Sequence, residues 1–232
     1  MDFVSNIAER LAEIERRIGS ACERAGRARA SVTLVGASKT HPPEALRAAY
    51  DAGLRVFGEN RVQEGQRKAP ELPPDCAWHL LGPLQTNKVK PAVALYSVFH
   101  AVDRTKVALA LDQECAARGV VREGFLEINL GEEESKHGFA PATLVAEAAP
   151  LAALAQLRIV GLMAIPPVEE DPDKARAWFG RLRALRDALA ARPEWQGWPG
   201  ALSMGMSGDY ELAIAEGATH VRVGTALFGS RD

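Results

Sequence analysis

At 232 residues, with 47% apolar and 25% charged side chains, the chain has the composition of a globular protein able to bury a sizeable core. Its net charge of -2 gives no long-range field for nucleic acid or an anionic membrane, so neither is expected as a partner. Three widely spaced cysteines, Cys22, Cys76 and Cys115, form no CxxC pair, which argues against a disulfide framework or a thiolate zinc site and for a reducing cytoplasm.

The first residues contain no apolar run long enough for a signal peptide or a membrane span. Instead Ile7, Leu11, Ile14 and Ile18 recur on one helical face, with Glu9, Glu13, Arg16 and Arg17 opposite, and predict an opening amphipathic helix stopped near Gly26. Residues 32–38 are β-branched and small apolar, a strand buried on both faces that stops at Lys39. Pro42-Pro43 then opens a helix that runs past Leu46 and Tyr50 to Gly53. The unit repeats: a strand over 54–57 ending in Gly58-Glu59-Asn60, a helix over 61–69, and a third strand over 77–81 ending in Gly82-Pro83. A fourth strand covers 97–102, with Asp103 placed to cap a helix over 104–118 that stops at Gly119.

A fifth strand is expected over 125–130, followed by a polar loop to Gly138 and a helix from Pro141 to about Leu154. A sixth strand spans 157–165, and Asp171-Pro172 caps a helix carrying Trp178, Phe179, Leu182, Leu185 and Leu189 until Pro193 ends it. The seventh strand is 201–204, a helix runs over 207–216, and the eighth strand is 220–223 before a short turn from Thr225. Eight strands alternating with helices, with no linker-like stretch, predict an α/β fold: one (β/α)8 barrel of the TIM type with an extra N-terminal helix, a single domain over 1–232. A doubly wound open sheet is the other candidate, but no GxGxxG follows the first strand.

In such barrels the working residues lie at the carboxyl ends of the strands. Lys39 ends the first strand, where it either snorkels into solvent or presents an amine as a nucleophile toward a carbonyl. Ser203-Met204-Gly205-Met206-Ser207-Gly208-Asp209 offers backbone N-H groups to an anion at a helix start, and Gly224-Thr225 can add amides from the next strand. The alternative there is a glycine turn with Ser207 as a plain helix cap. Arg222, between Val221 and Val223, must point into the barrel and needs an acceptor. Either a carboxylate such as Glu59 or a ligand would provide it. The five histidines, His41, His79, His100, His137 and His220, show no HxH or HExxH spacing, so no metal site is expected. Lys88, Lys90 and Arg61 read as a solvated basic face.

An amine at strand one, a phosphate cradle at strands seven and eight and an arginine between them suggest pyridoxal 5'-phosphate bound to Lys39 as an imine. Another phosphorylated metabolite, with Lys39 as a counter-ion, is the competing reading. The chain resembles the pyridoxal phosphate homeostasis proteins, which have the fold of the alanine racemase N-terminal barrel. The resemblance is carried by residues 34–40 (LVGASKT), 57–64 (FGENRVQE), 78–88 (WHLLGPLQTNK), 134–139 (ESKHGF), 161–163 (GLM), 202–209 (LSMGMSGD) and 221–225 (VRVGT). It implies that Lys39 carries the cofactor, that Ser207, Gly224 and Thr225 hold its phosphate, that Arg222 faces the pyridine nitrogen and that Asn60 lies near the ring. It also implies a monomer that stores, buffers or delivers the cofactor to PLP-dependent apo-enzymes. His137 departs from the small residue more usual after the lysine of that loop.

Two functional classes follow. One is an amino-acid racemase of low activity, since the site resembles half of alanine racemase; the other is a cofactor carrier that is no enzyme. Arginine stays protonated and can only donate to the pyridine nitrogen, which weakens the ring as an electron sink. With the chain ending at Asp232, no second domain is expected to bring the opposing tyrosine base, and Tyr50, Tyr96 and Tyr210 are the only tyrosines. Both points favour the carrier.

Overall fold

The computed structural model describes residues 3–131 and 137–229. Eight strands, β1 (Thr33–Ala37), β2 (Val56–Glu59), β3 (Ala77–Leu80), β4 (Val98–Val102), β5 (Arg122–Glu127), β6 (Leu157–Met163), β7 (Ala201–Ser203) and β8 (His220–Val223), close into a parallel barrel in sequence order. β8 pairs back onto β1 with Val35 opposite Arg222. The helices α1 (Phe3–Arg24), α2 (Pro43–Asp51), α3 (Val62–Lys68), α4 (Val89–Leu95), α5 (Thr105–Arg118), α6 (Pro141–Ala152), α7 (Pro172–Ala190), α8 (Tyr210–Ala215) and α9 (Thr225–Phe228) lie between and around them.

The expected barrel and its extra helix are therefore present. Ile7, Leu11, Ile14 and Ile18 are all buried, and α1 lays this face against α2, α8 and α9. Removing apolar area of this kind from water contributes about 25 cal/mol per Å², which explains why the spacing of four isoleucines and leucines located the helix correctly. Asp171 caps α7 by accepting from the Asp173 N-H, and Gly119 ends α5 in the left-handed region, both as the sequence predicts.

Four local expectations are corrected. β5 lies at Arg122–Glu127, earlier than 125–130, because its ladder to β6 runs from Arg122 opposite Leu157 to Glu127 opposite Met163, after which Ile128 bridges Phe139. α4 was not expected; its Pro91 falls in the first turn, where a missing N-H costs no hydrogen bond. α8 starts at Tyr210 and not at Ser207, since Asp209 Oδ1 accepts from the Met206 N-H and holds 206–209 as a turn. Asp103 does not cap α5: Arg104 occupies the capping position, and both Asp103 oxygens accept from Arg104 at 2.6 Å.

Among the described residues no helix is long and apolar enough to cross a membrane, and no group of His, Cys, Asp or Glu could hold a metal ion. All three cysteines are free thiols.

Candidate cofactor site at the barrel mouth

A cavity of about 390 Å³ opens at the carboxyl ends of the strands. It brings together Lys39, Asn60, Ser207, Arg222, Gly224 and Thr225, every site residue read from the sequence. His41, Glu127 and Gly208 also line it.

Lys39 follows β1 and is half-buried, between Ser38, held by β2, and Thr40, held by α3. Ser38 donates its hydroxyl to Glu59 Oε1 at 2.8 Å and its N-H to the Gly58 carbonyl at 2.9 Å. Thr40 has a positive φ of 66° and donates its N-H to Glu64 Oε2 at 3.1 Å. A β-branched residue in the left-handed region is strained, so the surrounding bonds must impose this turn. Glu59 itself ion-pairs with Lys68 at 2.7 Å, both buried. Burial raises the Glu59 carboxyl above its ordinary range, with Lys68 opposing the shift. Glu59 is thus not the counter-charge of Arg222.

After β7, Gly205 has a φ of +91°, and a Cβ there would lie 2.6 Å from the Ala213 Cβ. Only glycine allows the chain to turn so tightly against α8. The turn delivers Ser207, whose Oγ accepts from the N-H groups of Gly224 at 3.3 Å and Ala226 at 3.2 Å. One hydroxyl therefore joins the loop after β7 to the start of α9. The N-H groups of Ser207 and Gly208 have no acceptor among the described residues, and a Cβ at Gly208 would meet open space. Together these features make an open nest of donors suited to an anion. Asn60 is fixed by close packing: a Cβ on Gly82 would come within 2.4 Å of the Asn60 carbonyl oxygen.

Arg222 points inward from β8 while Val221 and Val223 join the outer core. Its guanidinium donates to Ser203 Oγ at 2.6 Å and to the Ala164 carbonyl at 3.0 Å. Burial lowers its pKa to about 10, which leaves it protonated at neutral pH. Below it lie His100, 2.8 Å from Ser203 Oγ, and His79, 3.0 Å from His100, with Phe125 stacked on His100.

Glu127, at the end of β5, was missed in the sequence. β5 stands across the closed barrel from β1, so this carboxyl lies on the far side of the cavity from Lys39. Its Oε2 is buried without a hydrogen-bond partner among the described residues. Burial, then the charge of Asp103, pushes its pKa up to about 7, against the pull of Arg222. The signal was present: a lone carboxylate inside the apolar run Phe125-Leu126-Glu127-Ile128, read the same way that Arg222 was read.

Arg61 and Lys88 line a second groove, of about 720 Å³, that shares Asn60 and Pro83 with the cavity, whereas Lys90 does not line it. Of the 134–139 motif, residues 134–136 lie outside the described residues; His137 sits 3.5 Å from Asp103 Oδ2.

Residues 10–232 match the family model of the alanine racemase N-terminal domain. The chain is 44% identical over 227 residues to a pyridoxal phosphate homeostasis protein of Aquifex aeolicus, covering 97% of this chain and 99% of that one. It is also 44% identical over 230 residues to the protein of that name from Pseudomonas aeruginosa, covering 99% and 97%. Among solved structures, PipY of Synechococcus elongatus with PLP bound superposes with a TM-score of 0.85 at 41% identity, over 96% of this chain and all 100% of that one. An alanine racemase of Clostridium difficile shares the fold at a TM-score of 0.73 and 15% identity, over 98% of this chain and 56% of that one.

Proposed function

The chain belongs to the pyridoxal phosphate homeostasis protein family, built on the alanine racemase N-terminal barrel, and from that premise we propose that it binds pyridoxal 5'-phosphate as a cofactor reservoir and is not an enzyme. One observation carries the reading: a single cavity holds an amine, an anion nest and a donor-only guanidinium, contributed by the adjacent strand ends of β1, β7 and β8. These groups fit the cofactor. Ser207, Gly208, Gly224 and Thr225 would hold the phosphate, Lys39 would supply Nζ for the imine link to the aldehyde, with loss of water, and Arg222 would donate to the ring nitrogen. Asn60 would flank the ring.

When bound, the cofactor supplies an electron sink for carbanion chemistry. A donor-only partner at its ring nitrogen weakens that sink, because the nitrogen stays unprotonated. The chain's own residues are thus arranged to grip the cofactor more than to exploit it. Storage, buffering and delivery to PLP-dependent apo-enzymes, by a monomer in the cytoplasm, complete the proposal.

Borohydride reduction of the purified protein loaded with pyridoxal 5'-phosphate, followed by peptide mass analysis, tests it. The expected result is a phosphopyridoxyl group on Lys39, and fixation on Lys136 or Lys88 would overturn the assignment. A second reading, a racemase of low activity, has Glu127 in its favour, since this carboxyl faces the cavity from the side opposite Lys39.

A further inference from the structure

The interior beneath the cavity contains a buried polar chain that cofactor binding does not by itself require. Arg222 carries only donors, so at the 2.6 Å contact Ser203 Oγ must accept. The Ser203 hydroxyl proton then needs an acceptor of its own. Ser203 and His100 are both fully buried, and the other recorded neighbour of Ser203 Oγ is His100 Nδ1, at 2.8 Å. His100 Nδ1 therefore accepts, which puts the ring proton on His100 Nε2. That nitrogen lies 3.0 Å from His79 Nδ1 and donates to it, so His79 in turn carries its proton on Nε2. The opposite direction would leave the serine proton without an acceptor in a dry interior, at a cost of about 1–3 kcal/mol. Phe125, stacked on His100 with ring centroids 4.7 Å apart, holds the imidazole plane in register with both neighbours. Burial keeps both rings neutral, pushing His79 down to about 3 and His100 well below its ordinary value. His220 packs edge-on against His100, with ring centroids 5.8 Å apart, but its Nδ1 is engaged with Thr219 Oγ1 at 2.9 Å and not with this chain.

We propose that Ser203, His100 and His79 form a one-way hydrogen-bond relay whose task is to position Arg222. The inference rests on the reading of Arg222 as the partner of the cofactor's ring nitrogen. The relay turns the serine hydroxyl proton away from the guanidinium, so Arg222 meets a lone pair at Ser203 and a carbonyl at Ala164. Its plane is fixed from below, and its remaining N-H groups are left for the cavity. Ser203 and His100 are thus positioning residues, acting through Arg222.

The test has two arms. In the first, long-range nitrogen-proton correlation spectra of ligand-free protein labelled at histidine nitrogen are recorded between about pH 6 and 8. Both His79 and His100 are expected as neutral rings protonated on Nε2 throughout; an Nδ1-protonated or charged His100 overturns the relay. In the second arm, Ser203→Ala is expected to release the tautomer of His100, to shift the absorption band of bound pyridoxal 5'-phosphate and to weaken its retention roughly threefold to tenfold, one hydrogen bond's worth. Ser203→Thr, which keeps the hydroxyl, should restore both the spectrum and the tautomer. An unchanged band and unchanged retention in folded Ser203→Ala overturn the positioning role. Failure of the wild-type protein to bind the cofactor sinks the reservoir reading instead, and the tautomer arm still decides whether the relay exists.

Discussion

Lys68 Nζ sits 2.7 Å from Glu59 Oε1, with both side chains withdrawn from water, and it also donates to the Ser38 carbonyl at 2.9 Å. This pair locks the residue that precedes Lys39 to β2, so the reach of the amine is set by an ion pair between β2 and α3. A buried pair of this kind adds little net stability, but removing one partner leaves the other charge uncompensated. Lys68→Met should therefore destabilise the protein by about 3–5 kcal/mol, while Glu59→Gln, which keeps a hydrogen-bond acceptor, should cost less. Urea unfolding checks both, and equal losses would refute the argument.

Lys39→Ala should give a colourless protein with nearly unchanged stability. The side chain is half-buried at a strand end and its loss opens no core cavity, so a change within about 0.5 kcal/mol is expected. Absorbance and thermal unfolding of the same sample separate loss of the cofactor from loss of the fold.

Ser207→Ala removes the hydroxyl that joins the Gly224 and Ala226 amides to the loop after β7. Retention of pyridoxal 5'-phosphate should fall roughly tenfold to a hundredfold, at about 1.5–3 kcal/mol for a bond to a charged group. Retention of pyridoxal should change little. Equal retention of the two compounds by the wild-type protein would remove the phosphate cradle from the argument.

The barrel was legible because several of its units carried their own punctuation: buried apolar strands, proline at the starts of α2, α6 and α7, and glycine after α2 and α5. The six residues expected at the site meet in one cavity for a related reason, since polar side chains at the ends of apolar strands have few other places to go. Glu59 was misread as a possible partner of Arg222 because its true partner, Lys68, lies nine residues on and reaches back only once α3 has turned it inward. The Ser203, His100 and His79 chain was out of reach for a different reason. Its members come from β7, β4 and β3, and only closure of the barrel brings them into hydrogen-bond contact.

Glu127 makes a pH prediction with a definite sign. Its folded pKa is about 7, against an ordinary value of 4.5, so the folded state holds the proton more tightly than the unfolded chain. The stabilisation this gives is complete below about pH 4.5 and is lost as pH rises through about 7. At 1.36 kcal/mol per unit it amounts to at most about 3.4 kcal/mol. His79, with a folded pKa of about 3, and His220, at about 4, act the other way, their stabilisation being lost as pH falls below the ordinary value of 6.5. The measurement is therefore a difference: Glu127→Gln relative to wild type should gain stability as pH rises from about 5 to 8. A flat difference across that range would show that the carboxyl ionises normally.

The same carboxyl bears on whether the protein turns over amino acids. Racemisation needs proton transfer on both faces of an α-carbon, and Lys39 can serve one face only. Glu127 lies across the barrel from it, and burial raises its pKa to about 7, in the range suited to a general base. Against this stands Arg222, still protonated, whose donor-only contact would keep the ring nitrogen unprotonated and the carbanion poorly stabilised. A well-placed base contributes roughly a hundredfold to ten-thousandfold, set here against a weakened electron sink. The expected outcome with L-alanine in deuterated water is slow exchange at the α-carbon, abolished in Lys39→Ala and reduced in Glu127→Gln, with little D-alanine formed. D-alanine appearing at about 1 per second or faster, within the ordinary range for enzymes, would replace the reservoir by a racemase whose second base is Glu127.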